Sequence, residues 1–163
     1  MSRLRTAELV WADGSYETIT SSGGTTRFGD PAAGGLSPMD ALLAALGACT
    51  AMDVHAIATK KRQRIDRYVV RVTGEQRAEH PRIYSRIEIT HEVEGRGLSL
   101  EAIRRSIELS ALNYCPVSAM LSTGPTEIHH HYRVRASEPE PWEAAGEVVV
   151  TGPGWRADVA PVG

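Results

Sequence analysis

The stretch Gly34-Gly-Leu-Ser-Pro-Met-Asp-Ala-Leu-Leu-Ala-Ala-Leu-Gly-Ala-Cys-Thr-Ala-Met-Asp-Val54 decides the fold of this chain. Ser37 suits an N-cap position, and Pro38 suits the first helical position because its missing N–H has no helical partner to lose there. Asp40 follows the cap by three residues, where a carboxylate meets the positive end of a helix. These signals predict one helix from Pro38 to about Arg62.

Almost every residue of this predicted helix beyond Asp40 is apolar or small, so we expect burial on all sides. Cys49 lies about three turns past Pro38. The helix dipole fades within the first turn and therefore does not reach this thiol. One small sheet cannot cover every face of such a helix, so a second copy of the chain is the expected cover and a homodimer is predicted.

The rest of the chain predicts strands and a second helix. Runs of alternating or β-branched residues predict strands at residues 4–11, 16–20, 25–28, 68–73, 82–94 and 126–136. Ser99 caps the second helix, and Pro116 interrupts it near residues 113–115. Strand runs separated by single helices are typical of an α+β domain with antiparallel sheets.

Length and composition fit one soluble domain. The chain has 163 residues, of which 42% are hydrophobic and 23% charged, with a formal net charge of −2. This balance argues against a nucleic-acid surface. The sequence shows neither a signal peptide nor a membrane segment, so we expect a cytoplasmic protein with reduced thiols. Residues 1–136 are predicted to form the domain, and the proline- and acid-rich residues 137–163 an appended tail.

The second cysteine lies in Leu112-Asn-Tyr-Cys-Pro-Val-Ser-Ala-Met-Leu121. A helical start at Pro116 would offer free N–H groups that could stabilise a thiolate at Cys115 or an anion beside it. Cys49 and Cys115 therefore lie in matching apolar helical settings, which favours a redox pair. The alternative is that both are small hydrophobic core residues, as most buried free cysteines are.

These motifs resemble the OsmC/Ohr family of peroxiredoxin-like proteins, in particular its less characterised branch. The resemblance covers residues 5–135 and includes Tyr114-Cys-Pro-Val-Ser-Ala-Met-Leu121 and Ile128-His-His-His-Tyr-Arg-Val134. It implies an intertwined α+β homodimer whose antiparallel sheets wrap two long central helices, with each site at the dimer interface. It also implies a stress-response peroxidase in which Cys49 reduces an organic hydroperoxide, Cys115 resolves it, and an external thiol reductant acts without a cofactor.

The resemblance assigns Arg27 to the site as well. In Thr26-Arg-Phe28 it matches a family arginine whose guanidinium contacts the reactive cysteine. Characterised hydroperoxide reductases carry a glutamate directly after the proline, where this chain has Met39, with Asp40 one position later and turned by about 100°. That departure favours an alternative function: a non-enzymatic dimer that binds a hydrophobic small molecule or senses redox state.

Other polar residues are interpreted as structural. Asp53, one turn past Cys49, is predicted to be a hydrogen-bond partner, because its negative charge would oppose thiolate formation. In the run from His129 to His131, only the first and last histidines share a strand face. With no obvious third ligand, this face is interpreted as solvated and no metal site is predicted.

Overall fold

The computed structural model describes residues 3–155, which divide into two compact units between Leu42 and Leu43. The first unit holds a three-stranded antiparallel sheet of β1 (Ala7–Ala12), β2 (Ser15–Thr20) and β3 (Thr25–Gly29). The predicted hairpin turn is confirmed: Asp13 and Gly14 both have positive φ, as a two-residue turn between paired strands requires.

Helix α1, Pro38–Lys60, begins where the proline predicts. Its first helical hydrogen bond runs from the Ala41 N–H to the Ser37 carbonyl at 2.9 Å. Gly47 lets the helix approach the strand that carries Val72, since a Cβ at this position would lie 2.9 Å from Val72 Cγ2. Among the described residues, α1 is the helix whose length and apolar composition would suffice to cross a membrane, a property shared by core helices of soluble proteins.

The second unit is built on a four-stranded sheet. In spatial order its strands are β4 (Arg64–Gln76), β5 (Tyr84–Arg96), β6 (Glu127–Ala136) and β7 (Trp142–Thr151). The fold is α+β as predicted, but β5 and β6 pair in parallel while the other two pairs are antiparallel. The parallel pair needs a crossover connection, and the helices between these strands supply it.

This crossover contains α2 (Leu100–Leu109), a π-helical turn (Ser110–Tyr114) and α3 (Pro116–Ser122). The predicted cap is confirmed, because Ser99 accepts the Ala102 N–H at 3.2 Å. Helices α1 and α2 contribute buried residues to one core with the inner face of the sheet, formed by Val54, Ala58, Val93, Leu98, Ile103, Ile107, Val134 and Ala136. The helices and the sheet of this unit thus share one hydrophobic core.

Part of the stretch predicted as an appended tail belongs to this sheet. Strand β7 pairs with β6 along its whole length, and Trp142 packs against the core cluster. The prolines and acidic residues around this strand do not indicate a strand, and only residues 146–151 show the usual β-branched pattern. The remainder of the predicted tail, residues 156–163, lies outside the described residues.

Candidate functional site

The fold brings the two cysteines together. Cys49 is half-buried on α1, Cys115 is 2% exposed at the start of α3, and both are free thiols. Their sulfur atoms and one carboxylate oxygen of Asp53 all lie within 4.8 Å of one another. Residues distant in sequence therefore form one compact cluster of two thiols and a carboxylate.

Cys115 is positioned by the break that Pro116 predicts. The π-helical turn ends at Tyr114, and the Cys115 N–H donates to the Ser110 carbonyl at 2.9 Å. Pro116 then takes the first position of α3, and the Cys115 sulfur accepts the Ser118 N–H at 3.4 Å. Such π-helical insertions are frequent at functional sites.

The N–H groups at the start of α3 do not suffice to ionise Cys115. Burial is the main cause that raises the pKa of the Cys115 thiol to about 12, and the hydrogen bond with Cys49 and the charge of Cys49 act in the same direction. The N–H groups of Ser118 and Val117 act in the opposite direction, as a helix start should, but burial outweighs them. Cys115 is therefore protonated at neutral pH, and its S–H is able to donate a hydrogen bond to the Cys49 sulfur.

Asp53 accepts a hydrogen bond from a hydroxyl group, which confirms its prediction as a hydrogen-bond partner. The Ser110 Oγ donates to Asp53 Oδ2 at 3.1 Å. The Ser110 and Thr50 hydroxyls lie 3.1 Å apart, and both residues are fully buried. This network ties α1, which carries Cys49, to the π-helical turn that precedes Cys115.

Arg27 lies on β3 in the first unit. Its Nε donates to Ser15 Oγ at 2.8 Å, and its guanidinium is 4.0 Å from the Glu17 carboxylate. Both contacts are within the first unit, so its role beside Cys49 stays a prediction. Asp40 is exposed in the first turn of α1, the place expected of a carboxylate at a helix start.

The structure also contains a buried aromatic cluster that the sequence did not predict as a unit. The Tyr68 hydroxyl lies 2.7 Å from His91 Nδ1, and the rings of His91 and His130 stack at 5.9 Å. Both imidazoles are fully buried, and burial lowers the pKa of His91 to about 3 and that of His130 to about 4. Both histidines are therefore neutral in the folded protein at physiological pH.

On the opposite face of the same sheet, the expectation that His129 and His131 lack a third ligand is wrong. Glu88 lies directly opposite His129 in the parallel β5–β6 register. One ligand atom from each of these three residues falls within 4.8 Å of the others. Because β5 and β6 are not consecutive in a hairpin, no local signal in the sequence links Glu88 to the histidines.

Comparison with known proteins finds relatives that all point to one family. A family model described as "OsmC-like protein" matches residues 29–131. Protein YhfA of Escherichia coli K12 is 36% identical over 133 residues, which cover 80% of this chain and 98% of YhfA. A hypothetical protein from Aquifex aeolicus VF5 superposes with a TM-score of 0.76 at 29% identity, covering 84% of this chain and 100% of that one.

A more distant structure shares the fold. The organic hydroperoxide resistance protein OhrB of Bacillus subtilis superposes with a TM-score of 0.54 at 18% identity. The superposition covers 80% of this chain and 98% of OhrB.

Proposed function

The chain belongs to the OsmC-like protein family, as its motifs predict, and on that premise we propose that it is a thiol-dependent peroxidase that reduces organic hydroperoxides in a stress response. Hydroperoxide resistance in the name of the fold relative OhrB supports the substrate class. The observation that carries the proposal is the approach of the Cys49 and Cys115 sulfurs to within 4.8 Å. A disulfide needs about 2.05 Å between sulfurs, so the two sulfurs must move closer together for the bond to form.

The two cysteines have different roles in this reaction. Cys49, the more exposed thiol, attacks the terminal oxygen of the hydroperoxide as a thiolate. The O–O bond breaks, an alcohol leaves after taking a proton, and Cys49 becomes a sulfenic acid. Cys115 then attacks the Cys49 sulfur, its proton leaves with the hydroxyl group as water, and a disulfide forms. An external thiol reductant supplies two electrons and returns both thiols.

The electrostatics of the pair support this order. Of the causes that raise the pKa of Cys115, the hydrogen bond with Cys49 and the charge of Cys49 both disappear once Cys49 is a neutral sulfenic acid. Cys115 therefore becomes easier to deprotonate after Cys49 has reacted, when its thiolate is needed. The N–H groups of Ser118 and Val117 remain in place to favour that thiolate.

Arg27 and a second copy of the chain complete the proposed site. By its family resemblance, the Arg27 guanidinium lowers the energy of the Cys49 thiolate. The homodimer would cover the side of α1 that carries Met52, a residue that is 74% exposed in one chain. A reducing cytoplasmic setting suits the free thiols, and the chemistry needs neither a metal nor an organic cofactor.

Stopped-flow oxidation with cumene hydroperoxide tests the proposal. We expect the reduced protein to consume the hydroperoxide rapidly. Cys49→Ser should consume it no faster than free cysteine does, and Cys115→Ser should complete a single turnover. Thiols that react no faster than free cysteine would refute the peroxidase. If native mass spectrometry of that unreactive protein also shows a co-purified apolar molecule, the binding dimer is the correct function instead.

A further inference from the structure

We propose that Glu88, His129 and His131 form a binding site for a divalent transition-metal ion, with Zn²⁺ as the best-matched ion. The site lies on the outer face of the four-stranded sheet, opposite the face that buries Ile128 and Val134. It is independent of the cysteine pair and of the peroxidase proposal.

The parallel pairing of β5 and β6 creates this cluster. Glu88 is the register partner of His129, and His131 follows two residues later on the same face of β6. The imidazole rings of the two histidines stack at 6.1 Å with their planes 10° apart. His131 Nε2 lies 2.5 Å from Glu88 Oε2. Three side chains on two rigid strands thus present one donor atom each to a common point.

The donor set suits zinc. Two imidazole nitrogens and one carboxylate oxygen leave a fourth position for water, an arrangement that tetrahedral Zn²⁺ accepts. Bonds of about 2.0–2.2 Å place the ligand atoms of a tetrahedral site about 3.3 Å apart. The three ligand atoms already lie within 4.8 Å of one another, and the Glu88 side chain is 32% exposed. Coordination requires a further approach of these atoms, in which Glu88 exchanges its hydrogen bond with His131 for a bond to the metal.

A second observation points to a cation at this place. His129 Nδ1 lies 2.9 Å from Glu147 Oε2, and its Nε2 is bonded to the Glu127 carboxylate. The nitrogen that binds the metal must release its proton and its carboxylate, and the carboxylate on the other nitrogen then gives the usual outer-shell support of a metal-bound imidazole. Neutral imidazoles would leave three carboxylates here against the guanidinium of Arg86, which contacts Glu88 at 2.5 Å and Glu127 at 3.8 Å. A divalent ion neutralises that excess of two negative charges.

The competing interpretation is a plain ladder of His–carboxylate hydrogen bonds across a sheet surface. In that case metal affinity would not depend on these particular histidines. The two interpretations also differ in what Arg86 does: it stabilises the carboxylates of a ladder, but it repels a bound cation.

Titration with Co²⁺, followed by competition with Zn²⁺, separates them. The titration uses a Cys49→Ser/Cys115→Ser background, because the cysteines and Asp53 form a second group of metal-binding side chains. We expect one Co²⁺ per chain with visible absorption bands of nitrogen and oxygen ligands, displaced by one Zn²⁺. His129→Gln and His131→Gln should each weaken binding about 100-fold, and Glu147→Gln about 10-fold, as expected for an outer-shell partner.

Arg86→Gln is expected to change the metal affinity in the opposite direction. Removing this guanidinium should tighten Co²⁺ binding several-fold, an increase that misfolding would not produce. His80→Gln, in the β4–β5 connection and exposed, is the matched histidine control and should bind as the background does. The proposal is overturned if the background protein shows no saturable binding, if His129→Gln and His131→Gln bind as tightly as it does, or if Arg86→Gln binds more weakly.

Discussion

The two buried imidazoles, His91 and His130, make the folded protein sensitive to mild acid, and lowering the pH from 7 to 5 is the perturbation that reveals it. An exposed histidine in the unfolded chain has a pKa of about 6.5. In the folded protein burial lowers these pKa values to about 3 and about 4. Between those values and 6.5 the unfolded chain binds more protons, so acid favours unfolding.

The magnitude follows from these values. At pH 5 each histidine lowers the free energy of unfolding by about RT ln(1 + 10^1.5), or about 2 kcal/mol, relative to neutral pH. The two together give about 4 kcal/mol, a large part of the stability of an ordinary domain. The contribution of both imidazoles is fully present above pH 6.5 and is lost as the pH falls toward their folded pKa values.

Urea unfolding followed by circular dichroism at pH 7, 6 and 5 measures this loss. Other groups titrate too: carboxylate hydrogen bonds raise the pKa of His129 against its burial, and that histidine stabilises the fold more at low pH. The decisive quantity is therefore the difference between variants, in which shared groups cancel. His91→Gln keeps an acceptor for the Tyr68 hydroxyl and removes the titration, so its loss between pH 7 and 5 should be about 2 kcal/mol smaller.

His80→Gln is the matched control, because His80 is exposed and the same replacement there should leave the pH dependence unchanged. An equal pH dependence in His91→Gln and the unchanged protein would refute the reasoning. It would mean that the buried ring is not neutral in the folded state.

Three further predictions concern the cysteine site and its support. Iodoacetamide at pH 7.5 should alkylate Cys49 well before Cys115, because burial raises the pKa of Cys115 to about 12; peptide mass mapping that finds the reverse order would contradict the assignment of roles. Ser110→Ala removes a hydroxyl that bonds two buried or half-buried partners, and should lower the urea-unfolding free energy by about 1–3 kcal/mol, whereas no change would show that water replaces it. Gly47→Val should lower the free energy of unfolding by about 1–3 kcal/mol, because the added side chain overpacks against Val72. Replacing an exposed alanine of α1 by valine should lower it less. Equal shifts of the melting temperature for both variants would argue against the close helix–sheet approach.

Local signals in the sequence determined much of this protein. Pro38 fixed the start of α1, Ser99 capped α2, and Pro116 forced the break that places Cys115 at the head of α3. Proline and cap residues act on the backbone within one turn of themselves, so their effects need no knowledge of the rest of the chain. The two cysteine motifs predicted the family, and the comparisons confirm that prediction.

Strand pairing between remote segments was decided by the tertiary structure. The parallel β5–β6 register joins Glu88 to His129, and β7 completes the sheet although only its residues 146–151 show a strand-like pattern. Pairing of this kind depends on which surfaces the intervening helices can cover, and no short window of sequence contains that information.

The proton on Cys115 was also decided by tertiary packing. The sequence indicates a helix start there, whose N–H groups favour a thiolate or a nearby anion. Packing against the core removes water from the sulfur, and that desolvation outweighs the nearby N–H groups. Sequence encodes the local dipoles around a group, but its loss of solvent is a property of the whole packed chain.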